Sequence, residues 1–234
     1  MGTRIDRDGV PRWRDVGAAM KIAVYTVGAL AENCYLVVDP ETGSAALVDP
    51  GAEGDRLVRA VRDSGATLAA IWLTHAHVDH VGGIAAVKRE WPTVPIHLNP
   101  LDAPIYALAG RSAEMYGLLP FDSPPPFDEP LADHEQLNLG SLTFDVLHTP
   151  GHAPGHSVFV GQGVMFGGDL LFAGSIGRTD LPYANPADMT RSLERVSHLP
   201  ERTIVYPGHG PSTTVVDELR TNPFLNGAAR VRGG

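Results

Sequence analysis

Apolar positions in this chain fall into short runs with two rhythms, and the rhythms alternate. Runs at 22–30, 33–38 and 45–48 are rich in Val, Ile, Leu and Tyr and bounded by turn residues, so they predict strands. Asp39-Pro40-Glu41-Thr42-Gly43 separates the last two and predicts the turn of a hairpin. Beyond Asp49-Pro50-Gly51 the period lengthens. Leu57, Val58 and Val61 fall on one helical face after Gly54-Asp55, and Gly65 supplies the stop. A strand over 68–73, a helix over 84–91 and a short strand over 94–98 come next. Strand-like runs return at 141–147, 158–160 and 164–166. Asn185-Pro186 then has the form of a helix start, with Met189, Leu193 and Val196 inward, and 203–206 predicts a last strand. Two strand-rich halves, each followed by helices, predict an α/β domain in which two mixed sheets meet face to face with helices outside, a four-layer αβ/βα sandwich.

The rhythm lapses between 99 and 136. Asn99-Pro100, Pro104, Gly110, Gly117, Pro120, Pro124-Pro125-Pro126 and Pro130 break it, leaving one helix at 101–109 and loop for the remainder. Ile105, Tyr106, Met115, Tyr116, Leu118, Leu119 and Phe121 give this insertion apolar surface. It is either a lid over a binding site, with Tyr116 and Leu119 toward the substrate, or a cover for the main core. Residues 1–19 are charged and irregular and form an N-terminal extension to a single domain over 20–234.

With 234 residues, 43% of them hydrophobic, the chain can bury a large core. A formal net charge of −9 with 18 Lys plus Arg argues against nucleic acid as a partner. No apolar run reaches the length of a membrane span. The single cysteine, Cys34, allows no internal disulfide, which fits a cytoplasmic location. It lies in an apolar run and reads as a small strand residue. No feature of the sequence sets the oligomeric state.

The chemistry is concentrated in Thr74-His75-Ala76-His77-Val78-Asp79-His80, at the end of a strand and ahead of a helix. His75 and His77 are two apart and share a direction on extended backbone, while Asp79 and His80 follow where the chain turns. Neutral imidazoles and carboxylates are ligands for zinc and similar divalent ions. His97 reads as structural.

Further motifs sit at later strand ends: His148-Thr149-Pro150-Gly151-His152, Gly167-Gly168-Asp169 and Pro207-Gly208-His209-Gly210. Together with THAHVDH at 74–80, and with ENCYLV at 32–37, VDPG at 48–51, GSIGRTDLP at 174–182 and TNPFL at 221–225, they resemble the metallo-β-lactamase superfamily. Within it the chain is most similar to short-form glyoxalase II-like (hydroxyacylglutathione hydrolase-like) hydrolases, over 20–226. The resemblance implies two divalent metal ions, zinc first, with iron or manganese as alternatives. It implies His75, His77 and His152 on one, Asp79, His80 and His209 on the other, and Asp169 bridging both. Asp79 and Asp169 are then also the catalytic carboxylates.

The implied reaction is hydrolysis of a thioester such as S-lactoylglutathione, by a hydroxide bridging the two metals. Arg178 occupies the place of a basic residue that contacts glutathione in that family, or is a surface arginine paired with Asp180. The resemblance carries no expectation of the helical C-terminal domain of full-length glyoxalase II, and Gly210-Pro211 stands where the family has a tyrosine. True β-lactamases carry a cysteine near the position of Asp169, so lactam hydrolysis is not expected. The alternative is a mononuclear iron persulfide dioxygenase on the same fold, which Gly177-Arg178-Thr179-Asp180 also resembles. His148 and His156 flank His152 and are candidates for hydrogen-bond partners behind the ligands.

Overall fold

The computed structural model describes Arg14–Asp15 and residues 20–232. The remainder of the predicted 1–19 extension lies outside the described residues. Strands β1 (Arg14–Asp15), β2 (Lys21–Val27), β3 (Glu32–Val38), β4 (Ser44–Val48), β5 (Thr67–Trp72), β6 (Ile96–Leu98) and β7 (Glu129–Pro130) form one sheet in sequence order. The pairs up to β4 are antiparallel and those from β4 to β7 parallel. Helix α1 (Gly54–Ser64) crosses from β4 to β5, and α2 (Val78–Val81) with α3 (Ile84–Glu90) crosses from β5 to β6. The insertion carries α4 (Ala103–Ala107) and α5 (Ala109–Tyr116).

The second half contributes β8 (Gln136–Leu139), β9 (Leu142–His148), β10 (Ser157–Gly161), β11 (Val164–Gly168), a small ribbon of β12 (Leu171–Phe172) and β13 (Ser175–Ile176), then α6 (Pro186–Ser197), β14 (Ile204–Pro207), β15 (Thr213–Thr214) and α7 (Val215–Thr221). Its sheet runs in the order β15-β14-β11-β10-β9-β8.

Alternation along the strands explains the layering. On β3, Cys34, Leu36 and Val38 join a core with Leu57 and Val61 of α1 and Ile84 and Val87 of α3. Tyr35 and Val37 point the other way, into a core with Phe144, Phe159, Phe166 and Tyr206 of the second sheet. The second sheet's outer face packs Val158, Met165 and Val205 on Met189, Leu193 and Val196 of α6. Three cores between four layers make the expected αβ/βα sandwich, a mixed α/β fold. Trp72 is central to the middle core, with its ring 5.3 Å from Phe144 and 5.7 Å from Phe159.

Asp39 ties the two halves at one end. Its carboxylate accepts from Ser141 N (2.7 Å), Ser141 Oγ (3.1 Å), Thr42 Oγ1 (2.7 Å) and Glu41 N (2.9 Å), linking the β3–β4 turn to the β8–β9 turn. Desolvation pushes this carboxyl up, but the hydrogen bonds led by Ser141 N–H outweigh it and bring it down to about 2.

Several elements depart from the sequence reading. The strand expected over 22–30 stops at Val27, because Gly28 turns the chain with φ 67°. The insertion is not loop beyond 109: Ala109 and Ala113, four apart and buried, seat α5 on the core, and Gly117 ends it in the left-handed region. Helix α7, capped by Thr214 on Asp217 N, and strand β8 were also not anticipated. Within the insertion, Ile105 and Tyr106 belong to the first core, whereas Met115, Tyr116 and Leu119 are exposed. The core-cover expectation therefore holds for Ile105 and Tyr106, while the tip leaves an apolar surface uncovered. Among the described residues no helix is long and apolar enough to cross a membrane.

Candidate metal centre

The four motifs meet because each follows the C-terminal end of a strand. β5 ends at Trp72, the chain bends at Thr74, and His77 is extended (φ −64°, ψ 151°) before α2 places Asp79 and His80 in one turn. His152 follows β9, Asp169 follows β11, and His209 follows β14. β11 and β14 are parallel neighbours, so Asp169 and His209 emerge side by side. Gly208 permits this approach: a Cβ there would lie 2.3 Å from Asp169 Oδ1 and 2.7 Å from His80 Cε1.

All seven residues named from the sequence come together at one edge of the sandwich. His75, His77 and His152 offer ligand atoms within 4.8 Å of one another, as do Asp79, His80 and His209, and as do His75, His80 and Asp169. Asp169 stands between the groups. Its Oδ1 is 3.5 Å from His80 Nε2, and its Oδ2 is 3.4 Å from His152 Nε2 and 3.6 Å from His209 Nε2. Asp79 Oδ2 is 3.2 Å from His209 Nε2.

Hydrogen bonds on the far side of each ring set which nitrogen faces inward. His152 Nδ1–H donates to Arg178 O at 2.8 Å, and His209 Nδ1–H to Leu30 O at 3.1 Å. His80 Nδ1–H donates to Asp49 Oδ2 at 3.1 Å. Asp49 also accepts from Thr74 N and Thr74 Oγ1, both at 2.7 Å. With its proton directed to Asp49, Thr74 Oγ1 accepts from His75 Nδ1–H at 3.0 Å. One buried carboxylate thus orients two rings. Four Nε2 atoms are left facing inward. His77 faces the same region through Nδ1, which lies 2.8 Å from His152 Nε2.

Burial, followed by the neighbouring His152, lowers His77 to about 3, and burial drives His75 well below the usual imidazole range. His152 is lowered as well, again chiefly by burial. All three are neutral donors near pH 7. Burial works against charge on His80 too, but Asp169 and Asp79 overcome it and raise that ring well above 6.5. Burial likewise opposes the Asp169 carboxylate, and His80 foremost outweighs it, holding the group below the ordinary range. The centre therefore presents three neutral imidazoles, those of His75, His77 and His152, beside an ionised Asp169 and a His80 ring whose proton a bound cation would displace; imidazole with carboxylate is the donor set of divalent zinc, iron or manganese.

A fit test comes from unsatisfied atoms. Buried polar groups are nearly always hydrogen-bonded. Among the described residues, His75 Nε2, His80 Nε2 and Asp169 Oδ1 are buried with no hydrogen-bond partner. Three polar atoms of one cluster, unpartnered together, are what a cation would satisfy once it displaces the His80 proton. Both oxygens of Glu32 share this condition, 3.9 Å from His80 Nδ1 at the closer one. Glu32 and Asp49 escaped the sequence reading, which quoted them only inside ENCYLV and VDPG.

The metallo-β-lactamase superfamily profile matches residues 27–209. The chain belongs to this superfamily. Its relatives include hydroxyacylglutathione hydrolase GloC of Haemophilus influenzae, 36% identical over 210 residues, covering 88% of this chain and 99% of that one. A solved structure of TTHA1623 in a di-iron-bound form is 45% identical with TM-score 0.80, covering 86% of this chain and 99% of the other. BLEG-1, described as a B3 metallo-β-lactamase, is 37% identical with TM-score 0.80, covering 87% and 99%.

Superfamily membership makes the chain one of a metal-binding, mostly hydrolytic family, and the remaining residues can be placed around the cluster. The Arg178 guanidinium grips Asp180 through two 2.8 Å bonds in the open, while its carbonyl holds His152. Tyr116 at the end of α5 is within electrostatic reach of Arg178. Leu119 is exposed beyond it. His156 is buried, and its Nε2 accepts from Asp169 N at 3.1 Å. His148 Nε2–H donates to Pro154 O at 2.8 Å and braces the loop that carries His152. Cys34 is buried and held protonated by burial, so it is no nucleophile.

Proposed function

We propose that the chain is a dinuclear, zinc-dependent thioester hydrolase of the glyoxalase II kind, acting on S-lactoylglutathione or a similar acyl-thiol in the cytoplasm. The observation that carries this reading is the position of Asp169, with one oxygen toward His80 and the other toward His152. His75, His77 and His152 would hold one ion, Asp79, His80 and His209 the other, and Asp169 both. When bound, the pair of ions supplies a water activated near neutral pH and a Lewis acid for the carbonyl oxygen.

The chain's own residues then position and shield. Asp79 Oδ2 is at the mouth of the second group and orients the attacking water. Thr74, Asp49, Arg178 O and Leu30 O keep the rings in place, so the donor set needs no reorganisation during reaction. A thiolate leaves without protonation, which suits a centre whose imidazoles all serve as ligands. Arg178 recognises a substrate carboxylate by exchanging it for Asp180; that pair is solvent-exposed and screened by water, so exchange is easy. Tyr116 and Leu119 line the acyl side as the tip of a lid.

Asp169→Ala tests the reading. It should remove both ions or leave one weakly held, with loss of S-lactoylglutathione hydrolysis. Two tightly bound ions and full activity in that variant would refute the bridging role. The likeness to BLEG-1 favours a second substrate class, the lactam amide, and a chromogenic cephalosporin assayed in parallel separates the two.

A further inference from the structure

Asp102 is fully buried, the last residue of the 3-10 turn Pro100–Asp102 at the base of the insertion. It stands at the N-cap of α4 but does not cap it. Instead its two oxygens reach into two other loops. Oδ2 accepts the N–H of Ala76 at 3.0 Å, and Oδ1 accepts the N–H of Gly155 at 2.5 Å. Ala76 lies between His75 and His77. Gly155 lies three residues after His152 and one before His156.

The approach is tight. A Cβ on Gly155 would sit 2.8 Å from Asp102 N and 2.9 Å from its carboxyl carbon. The same two loops touch at their roots through Ser157 N–H to Thr74 O at 2.8 Å. Farther along them, Asp102 is the group that joins Ala76 to Gly155.

We infer that Asp102 is a positioning residue for the first metal triad: its carboxylate fixes the spacing between the His75–His77 loop and the His152 loop. Through it the insertion becomes part of the metal centre rather than an addition to it. Two acceptors are required, one per loop, and a carboxylate is the short side chain that supplies both. Burial raises this carboxyl to about 6 despite the two N–H bonds, so the acid is kept there against its desolvation. The inference rests on the proposed dinuclear centre.

The test is a cobalt(II) titration of the metal-free full-length chain, read by its absorption bands, beside thermal denaturation of the metal-free proteins. Wild type should bind two ions. Asp102→Asn keeps the shape but turns one acceptor into a donor facing an N–H. It should weaken one of the two cobalt sites by about 10- to 100-fold, the usual range when a group supporting a metal ligand is lost, and leave the other near wild type. Gly155→Ala pushes on the same clamp from the other side and should reproduce the effect. Tyr106→Phe removes the insertion's bond to Pro125 O at 2.8 Å and should lower the melting temperature with both cobalt affinities unchanged. Wild-type cobalt affinities in both Asp102→Asn and Gly155→Ala would overturn the inference, as would an equal loss at both sites in all three variants. A wild type that takes up no cobalt would overturn the metal reading itself, and this inference with it.

Discussion

His156 holds Asp169 by the backbone: its Nε2 accepts the Asp169 N–H at 3.1 Å, and its Nδ1–H is directed to Thr149 Oγ1 at 2.9 Å. Both nitrogens of the His156 ring are used inside the protein, which explains a buried histidine beside a metal centre that has no part in the ligand groups. His156→Ala leaves the Asp169 N–H without a partner. It should cost about 1–3 kcal/mol of stability in the metal-free chain, measured by denaturant unfolding. Metal affinity should fall as well. Unchanged stability and unchanged metal uptake would show that Asp169 is fixed by other means.

Asp49 orients His80 directly and His75 through Thr74. Asp49→Asn keeps one accepting oxygen but presents an N–H₂ to at least one of the three donors. Weakening of metal binding by about 10- to 100-fold is expected, at both groups rather than one, because both rings depend on it. Competition against a chelator measures this. Loss confined to one ion would mean that Thr74 holds His75 unaided.

Asp39 gives a pH dependence with a definite sign. Its folded value of about 2 lies below the ordinary 3.8. It therefore contributes stability that is fully present above pH 3.8 and lost as pH falls through about 2. Asp39→Asn should be less stable than wild type at pH 7, with the difference shrinking in acid. Unfolding free energies across that range check it; a difference that grows in acid would contradict the assignment.

The insertion separates two kinds of residue. Tyr116 and Leu119, 54% and 62% exposed, should change KM for a bulky thioester when replaced by Ala, with the melting temperature nearly unchanged. Ile105, 8% exposed in the first core, should do the reverse, losing about 2–5 kcal/mol on truncation to Ala. If Tyr116→Ala and Leu119→Ala lowered the melting temperature and left KM alone, the tip would be core cover and no lid.

Much of this was legible in the sequence because ligands here are local or terminal to strands. The spacing in 74–80 needs only one extended segment and one turn to aim four donors, and the strand-ending motifs bring the rest. Strand alternation gave the cores, since β3 divides its residues between two of them. What escaped was set by tertiary contact. Asp49, Glu32 and Asp102 are carboxylates far along the chain from the rings or loops they serve, with nothing local to mark them. Helix α5 was hidden by Gly110 and by the prolines after it, and packing of Ala109 and Ala113 overrode that weak propensity. Arg178 showed its charge in the sequence, but not that its carbonyl would hold His152.

The central claim is tested most directly by titrating the metal-free chain with zinc while following hydrolysis of S-lactoylglutathione in the same sample. A dinuclear thioesterase predicts activity that rises until two zinc ions per chain are bound and then levels. Full hydrolysis at one ion per chain, or none at two with oxygen uptake on a persulfide once a single iron is supplied instead, would contradict it.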